Sequence, residues 1–162
     1  MSSRRHTAVY PGSFDPVTNG HLDIARRSLS IFDRLVIAVL DHPAKQGLFT
    51  VEERVALLRE SLADEPRIEI RSFAGLLVDL LESVKATTII RGLRFLSDFE
   101  YELQMALMNQ SLSGEVETIF MVANPERTFV SSSLVKEVAR LGRSIDQFVP
   151  PPVVAALKEK YS

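Results

Sequence analysis

Short apolar runs alternate with helical patterns along nearly the whole chain, and that alternation limits the folds open to it. The runs are Thr7–Tyr10, Arg34–Leu40, Arg67–Ser72, Thr87–Arg91 and Glu117–Val122. They are rich in Val and Ile and mostly continuous, as expected of strands buried on both faces. Helical patterns cover His21–Phe32, Val51–Leu62, Leu76–Val84, Asp98–Leu112 and Ser132–Leu141, and Pro151 starts a last one through Tyr161. Thr50-Val51-Glu52-Glu53 reads as a capping box, with Thr50 as N-cap. Strand–helix alternation at these spacings predicts an α/β fold: a Rossmann-like, five-stranded parallel sheet with helices on both faces. The 162 residues contain no internal repeat, low-complexity stretch or linker, so residues 1–162 are expected to form one domain.

In such folds ligands bind beyond the C-terminal ends of the strands. Polar clusters fall at those ends. The first strand leads into Gly12–His21 and the second into Asp41-His42-Pro43-Ala44-Lys45. The third leads to Phe73-Ala74-Gly75-Leu76-Leu77 and the fourth ends in Arg91-Gly92-Leu93-Arg94. The fifth leads through Asn124-Pro125 to Phe129-Val130-Ser131-Ser132-Ser133. Together they predict a cationic pocket suited to more than one phosphate group.

Within the first loop, Thr18-Asn19-Gly20-His21 opens a helical stretch. Ser13, Thr18 and His21 are thereby placed around a helix N-terminus, where free N–H groups and the dipole attract anions. Each residue also fits a plainer role. Thr18 or Asn19 suits an N-cap, and Ser131–Ser133 suit another. Taken alone, Lys45 reads as a solvated loop lysine, Arg94 could be a surface charge, and Arg91 could equally be a structural partner of Glu102. His42 belongs to no motif and reads as solvated. Met105 and Met108 share helical spacing with Leu103 and Leu107, which suits core or subunit contact. The functional reading rests on convergence at one rim.

Composition removes several chemistries. There is no cysteine, hence no disulfide, thiolate metal site or thiol nucleophile. Three histidines (His6, His21, His42) without H-E-x-x-H argue against a protein-held zinc site. A net charge of −2 gives no bulk electrostatic case for nucleic acid or an acidic membrane surface. No run is long enough for a membrane span, and Arg4, Arg5 and His6 are not followed by a secretory apolar segment. The expectation is a cytoplasmic protein with no nucleic-acid or membrane partner.

Thr18-x-Gly20-His21 together with Ser131-Ser132-Ser133-Leu134-Val135-Lys136 resembles the nucleotidyltransferase superfamily. Within it the chain is similar to the phosphopantetheine adenylyltransferase family of bacterial coenzyme A synthesis, nearly end to end. The likeness is carried by Tyr10-Pro11-Gly12-Ser13-Phe14-Asp15-Pro16, Phe49-Thr50-x-Glu52-Glu53-Arg54, Ile90-Arg91-Gly92-Leu93-Arg94, Asp98-Phe99-Glu100-Tyr101-Glu102 and the Ser131–Glu137 segment. The resemblance implies roles. Ser13 and Phe14 would contact ATP, with Ser13 also near the phosphate of phosphopantetheine; the family often has Thr at that position. His21 would be catalytic, stabilising charge on the α-phosphate. Lys45, Leu77 and Arg91 would hold phosphopantetheine. Gly92, Leu93, Arg94 and Glu102 would bind ATP, as would Arg127, Thr128, Phe129, Val130, Ser131, Ser132 and Ser133. A homohexamer and feedback inhibition by coenzyme A are also implied.

The residue inventory shapes the expected chemistry. No activated nucleophile is evident, so direct in-line attack on ATP is expected, giving dephospho-coenzyme A and pyrophosphate without a covalent enzyme intermediate. The motifs offer no carboxylate cluster, so Mg²⁺ is expected to arrive on the ATP phosphates rather than in a protein site. Two other readings compete: a transferase acting on nicotinate mononucleotide, and a nucleotide-binding regulatory module without turnover. The Arg91–Arg94 and Asp98–Glu102 blocks argue against the first, and His21 with Lys45 against the second.

Overall fold

A computed structural model describes residues 6–162; Arg4 and Arg5 lie outside them. The order is β1 (Thr7–Gly12), α1 (Asn19–Ser28), β2 (Arg34–Leu40), α2 (Val51–Ser61), β3 (Ile68–Phe73), α3 (Leu77–Val84), β4 (Thr88–Leu93), α4 (Leu96–Leu112), β5 (Glu117–Val122), a 3₁₀ turn (Pro125–Arg127), α5 (Ser132–Arg140) and α6 (Pro151–Tyr161). All five expected strands form one parallel sheet, in the order β3-β2-β1-β4-β5.

The centre of the sheet, β1, β2 and the first half of β4, is buried on both faces, while the edge strands β3 and β5 are part-exposed. On one, Ala8, Tyr10, Leu35, Ile37 and Ile90 meet α1, α2, α5 and α6 through Leu22, Leu58, Val135 and Leu157. On the other, Val9, Val36, Ala38 and Ile89 meet Leu81 and Val84 of α3. Alternate residues of one strand therefore serve opposite cores, which is why the runs read as continuous.

The order of strand addition reverses at β1: the chain first moves outward to β2 and β3, then crosses back to β4 and β5 on the other side. β1 pairs with β2 through six residue pairs, and β4 with β5 through six. β1 and β4 pair only at Ala8–Thr88 and Val9–Ile89. Beyond Ile89 these two strands part, and a crevice opens at the switch point, where doubly wound folds bind ligands.

Several boundaries differ from the sequence reading. α1 ends at Ser28 rather than Phe32. The Ser28 hydroxyl donates to Ala25 O, and a turn follows in which Leu29 and Phe32 remain buried. The apolar spacing therefore outlasts the helix. β4 extends to Leu93 because it pairs with β5 as far as Val122. α4 starts at Leu96 and has no buried residue. Leu103, Met105, Leu107 and Met108 are exposed, so they do not belong to the core of the single chain. No described helix is long and apolar enough to cross a membrane.

Candidate active site

The crevice has a volume of about 730 Å³. Its floor begins at the end of β1. Phe14 has a left-handed backbone, φ 49°, uncommon for a bulky residue and typical of functional sites. Its ring packs edge-on against Tyr10, with centroids 5.3 Å apart, and against His21 at 5.0 Å. Gly12 makes room for it: a Cβ there would stand 2.9 Å from the Phe14 ring. Ser13 is left exposed on the crevice wall.

Thr18 is the N-cap of α1, with extended backbone. Its hydroxyl accepts the His21 N–H, while its own N–H donates to His21 Nδ1 at 3.0 Å. Histidine thus takes the part that Glu or Gln usually plays in a capping box. Nδ1 is the acceptor, so in the neutral ring the proton sits on Nε2. Desolvation, followed by the charges of Arg94 and Arg91, pushes His21 down to about 4. At neutral pH it is an uncharged N–H donor lining the crevice.

Arg91 spans the gap where β1 and β4 separate. Nε and Nη2 donate to Glu102 on α4 at 2.8 and 2.6 Å, and Nη1 donates to Pro11 O at 2.6 Å. Burial disfavours the charge of Arg91, but Glu102 outweighs it and holds the guanidinium above its ordinary value. Both readings of Arg91 are compatible with this geometry. Three of its five N–H donors are used, and two remain for a ligand. Glu102 is held bidentately by Arg91. Arg94 donates to Val130 O at 3.2 Å and lies 3.7 Å from Asp98. Gly92 lies over Ile24 and Tyr10.

The far wall is the start of α5. Ser131 is the N-cap, its hydroxyl accepting Leu134 N–H at 3.1 Å. Ser132 Oγ donates to Pro16 O at 2.7 Å, and Ser133 is the second helical residue. Arg127 Nη1 donates to Asn19 O, tying this wall to the start of α1.

Most of the expected residues line this one crevice: Ser13, Phe14, His21, Lys45, Arg91, Gly92, Arg94, Glu102, Arg127, Val130 and Ser131–Ser133. Four do not. Leu93 ends β4, and Leu77 starts α3, beyond the rim. Thr128 donates its hydroxyl to Asn124 O, and Phe129 packs against Phe148. His42, read as solvated, is exposed but does line the crevice.

Arg54, Asp15 and Lys136 also line the crevice, without a role assigned from the sequence. Arg54 is buried and donates to Ser13 O at 2.7 Å, Leu40 O at 3.1 Å and Thr50 O at 3.4 Å. It clamps the ends of β1 and β2. Its spacing to Leu57 and Leu58 puts it on the buried stripe of α2, a signal readable in the sequence. Asp15 and Lys136 form an ion pair at 2.9 Å; nothing in their separation of 121 residues announces it.

The lining carries six Lys or Arg side chains against three carboxylates, Asp15, Asp98 and Glu102. Each carboxylate already faces a cation. Among the described residues no group of His, Asp and Glu could hold a metal ion. The crevice is therefore built for anions.

Residues 9–138 match the family described as cytidylyltransferase-like. A phosphopantetheine adenylyltransferase of Caldanaerobacter subterraneus subsp. tengcongensis is 52% identical over 154 residues, covering 95% of this chain and 96% of that one. One from Staphylococcus carnosus is 54% identical over 154 residues, with the same coverage. One from Geobacter metallireducens is 54% identical over 158 residues, covering 98% of this chain and 97% of that one.

Proposed function

The chain belongs to the cytidylyltransferase-like family, among the phosphopantetheine adenylyltransferases, and from that premise we propose that it transfers the adenylyl group of ATP to 4'-phosphopantetheine, releasing dephospho-coenzyme A and pyrophosphate. The observation that carries this reading is the meeting of His21, Arg91, Arg94 and the α5 N-terminus in one crevice. Two polyanionic substrates must be brought phosphate to phosphate, and these groups supply the opposing charge.

ATP lies against Ser13, Phe14, Gly92, Arg94 and Glu102, with its phosphates toward Arg127, Val130 and Ser131–Ser133. Phosphopantetheine sits between Lys45 and Arg91, and Leu77 and the exposed Leu76 give its slender arm an apolar wall. The acceptor phosphate already carries charge and needs no strong base. It attacks the α-phosphorus in line, with no covalent enzyme intermediate. Nε2–H of His21 donates to the α-phosphate oxygens as their charge grows. The lining carboxylates are already paired, so Mg²⁺ would be carried by the ATP phosphates, where it would neutralise charge on the pyrophosphate.

The uncovered α4 face, with Phe99, Leu103, Leu107 and Met108 exposed, supports assembly into a homohexamer, which light scattering of the purified protein reads directly. We further propose a cytoplasmic enzyme inhibited by coenzyme A, its product extended.

A side-by-side assay tests the acceptor. Purified protein with ATP is expected to form pyrophosphate with phosphopantetheine and little with nicotinate mononucleotide. The reverse preference would overturn the assignment.

A further inference from the structure

We propose that Asp15 is a positioning residue that locks the acceptor side of the crevice to its nucleotide side; the assignment of sides rests on the function proposed above.

Asp15 is 8% exposed, directly after the left-handed turn at Phe14. Its two oxygens serve three groups on two other segments. Oδ1 accepts Phe49 N–H at 2.9 Å, and Oδ2 accepts Leu48 N–H at 3.0 Å and Lys136 Nζ at 2.9 Å. Leu48 and Phe49 end the loop that carries Lys45. Lys136 lies in α5, whose first residues are Ser132 and Ser133. One carboxylate thus holds a loop assigned to the acceptor and a helix assigned to the nucleotide.

Two further contacts fit this role. A Cβ at Gly47 would stand 2.7 Å from Oδ2, so the loop closes over the carboxylate only because residue 47 has no side chain. Ser132 Oγ donates to Pro16 O, a second strap from α5 to the segment that carries Asp15. Asp15 is ionised: burial opposes its charge, but the bonds from Lys136, Phe49 and Leu48 outweigh burial and hold its pKa below the ordinary value. Both Asp15 oxygens are taken up by protein donors on the loop and on α5, so its influence runs through the segments it holds.

The sign of one substitution separates positioning from simple charge. Asp15→Asn removes a negative charge from an anion-binding crevice, so Coulomb attraction alone would tighten both substrates. Positioning gives the opposite result. The amide keeps one acceptor but turns its NH₂ toward Leu48 N–H and Lys136, releasing the loop or the helix.

Calorimetric binding of ATP and of phosphopantetheine, each alone, to Asp15→Asn, Lys136→Met and Lys136→Arg, beside the parent, tests this. Asp15→Asn is expected to weaken both by roughly tenfold and to lower kcat/KM by about 10². Lys136→Met is expected to weaken phosphopantetheine as well as ATP, and Lys136→Arg to restore both. Tighter or unchanged binding in Asp15→Asn, or a Lys136→Met effect confined to ATP, would overturn the proposal. If Asp15→Asn fails to fold, Gly47→Ala decides: it leaves every charge in place but pushes the loop off Oδ2, so it is expected to weaken both substrates, and unchanged binding of either would overturn the proposal. A parent protein without turnover would overturn the proposed function instead, and the binding constants would still decide the role of Asp15.

Discussion

The backbone N–H of Thr18 donates to Nδ1 of His21 across 3.0 Å. That bond selects the Nε2–H tautomer and leaves no room for a proton on Nδ1. In the free protein, NMR should show an Nε2-protonated ring that titrates at about 4. An Nδ1–H tautomer, or a midpoint near 6.5, would contradict the site geometry.

The same shift has a consequence for stability. His21 has a pKa of 6.5 unperturbed and about 4 when folded, so between those values the unfolded chain binds more protons. Stability is then lost as pH falls from about 6.5 toward 4 and is fully present above that window. Denaturant titrations across these pH values should show a shallower loss for His21→Asn than for the parent.

His21→Ala should lower kcat by roughly 10²–10³ while ATP binding changes little, because its N–H acts on charge that develops in the transition state. Single-turnover rates with calorimetric ATP affinities check this. Turnover within a few-fold of the parent would remove His21 from the chemistry.

Arg91→Ala should raise the Michaelis constant for phosphopantetheine more than that for ATP. It also strands Glu102, whose side chain is only 11% exposed, so a drop in melting temperature should accompany it. Arg91→Lys should stay impaired, since an ammonium cannot replace the fork that holds Glu102 and Pro11 O together. Equal effects on both substrates would contradict the division of the crevice.

The serines of α5 should separate. Ser131→Ala removes the N-cap and should cost about 1 kcal/mol of stability. Ser133→Ala should leave stability unchanged and weaken ATP binding. Intact nucleotide affinity in Ser133→Ala would reduce this end of α5 to a capped helix.

How much of this was legible in the sequence depended on whether the cause was local. Val- and Ile-rich runs mark the central strands because burial on both faces acts on successive residues of them, and Thr50 and Glu53 mark a helix start because the cap lies within four residues. The last two residues of β4, Gly92 and Leu93, lie beyond the strand read from the sequence and are strand only through β5, a partner that hydropathy does not reveal. The apolar spacing of α4 shows a sticky helix but not whether its own chain covers it. Thr18 and His21 are three residues apart and could be read together. Asp15 with Lys136, and Arg54 with Ser13 and Leu40, meet only after folding.

Direct adenylyl transfer within one crevice is the central claim, and exchange of labelled pyrophosphate into ATP tests it most directly. Without acceptor no label should enter ATP, because no enzyme group takes the adenylyl moiety; adding phosphopantetheine, and with it the reversible formation of dephospho-coenzyme A, should start the exchange. Label entering ATP without acceptor, or none entering once phosphopantetheine is present, would contradict the account.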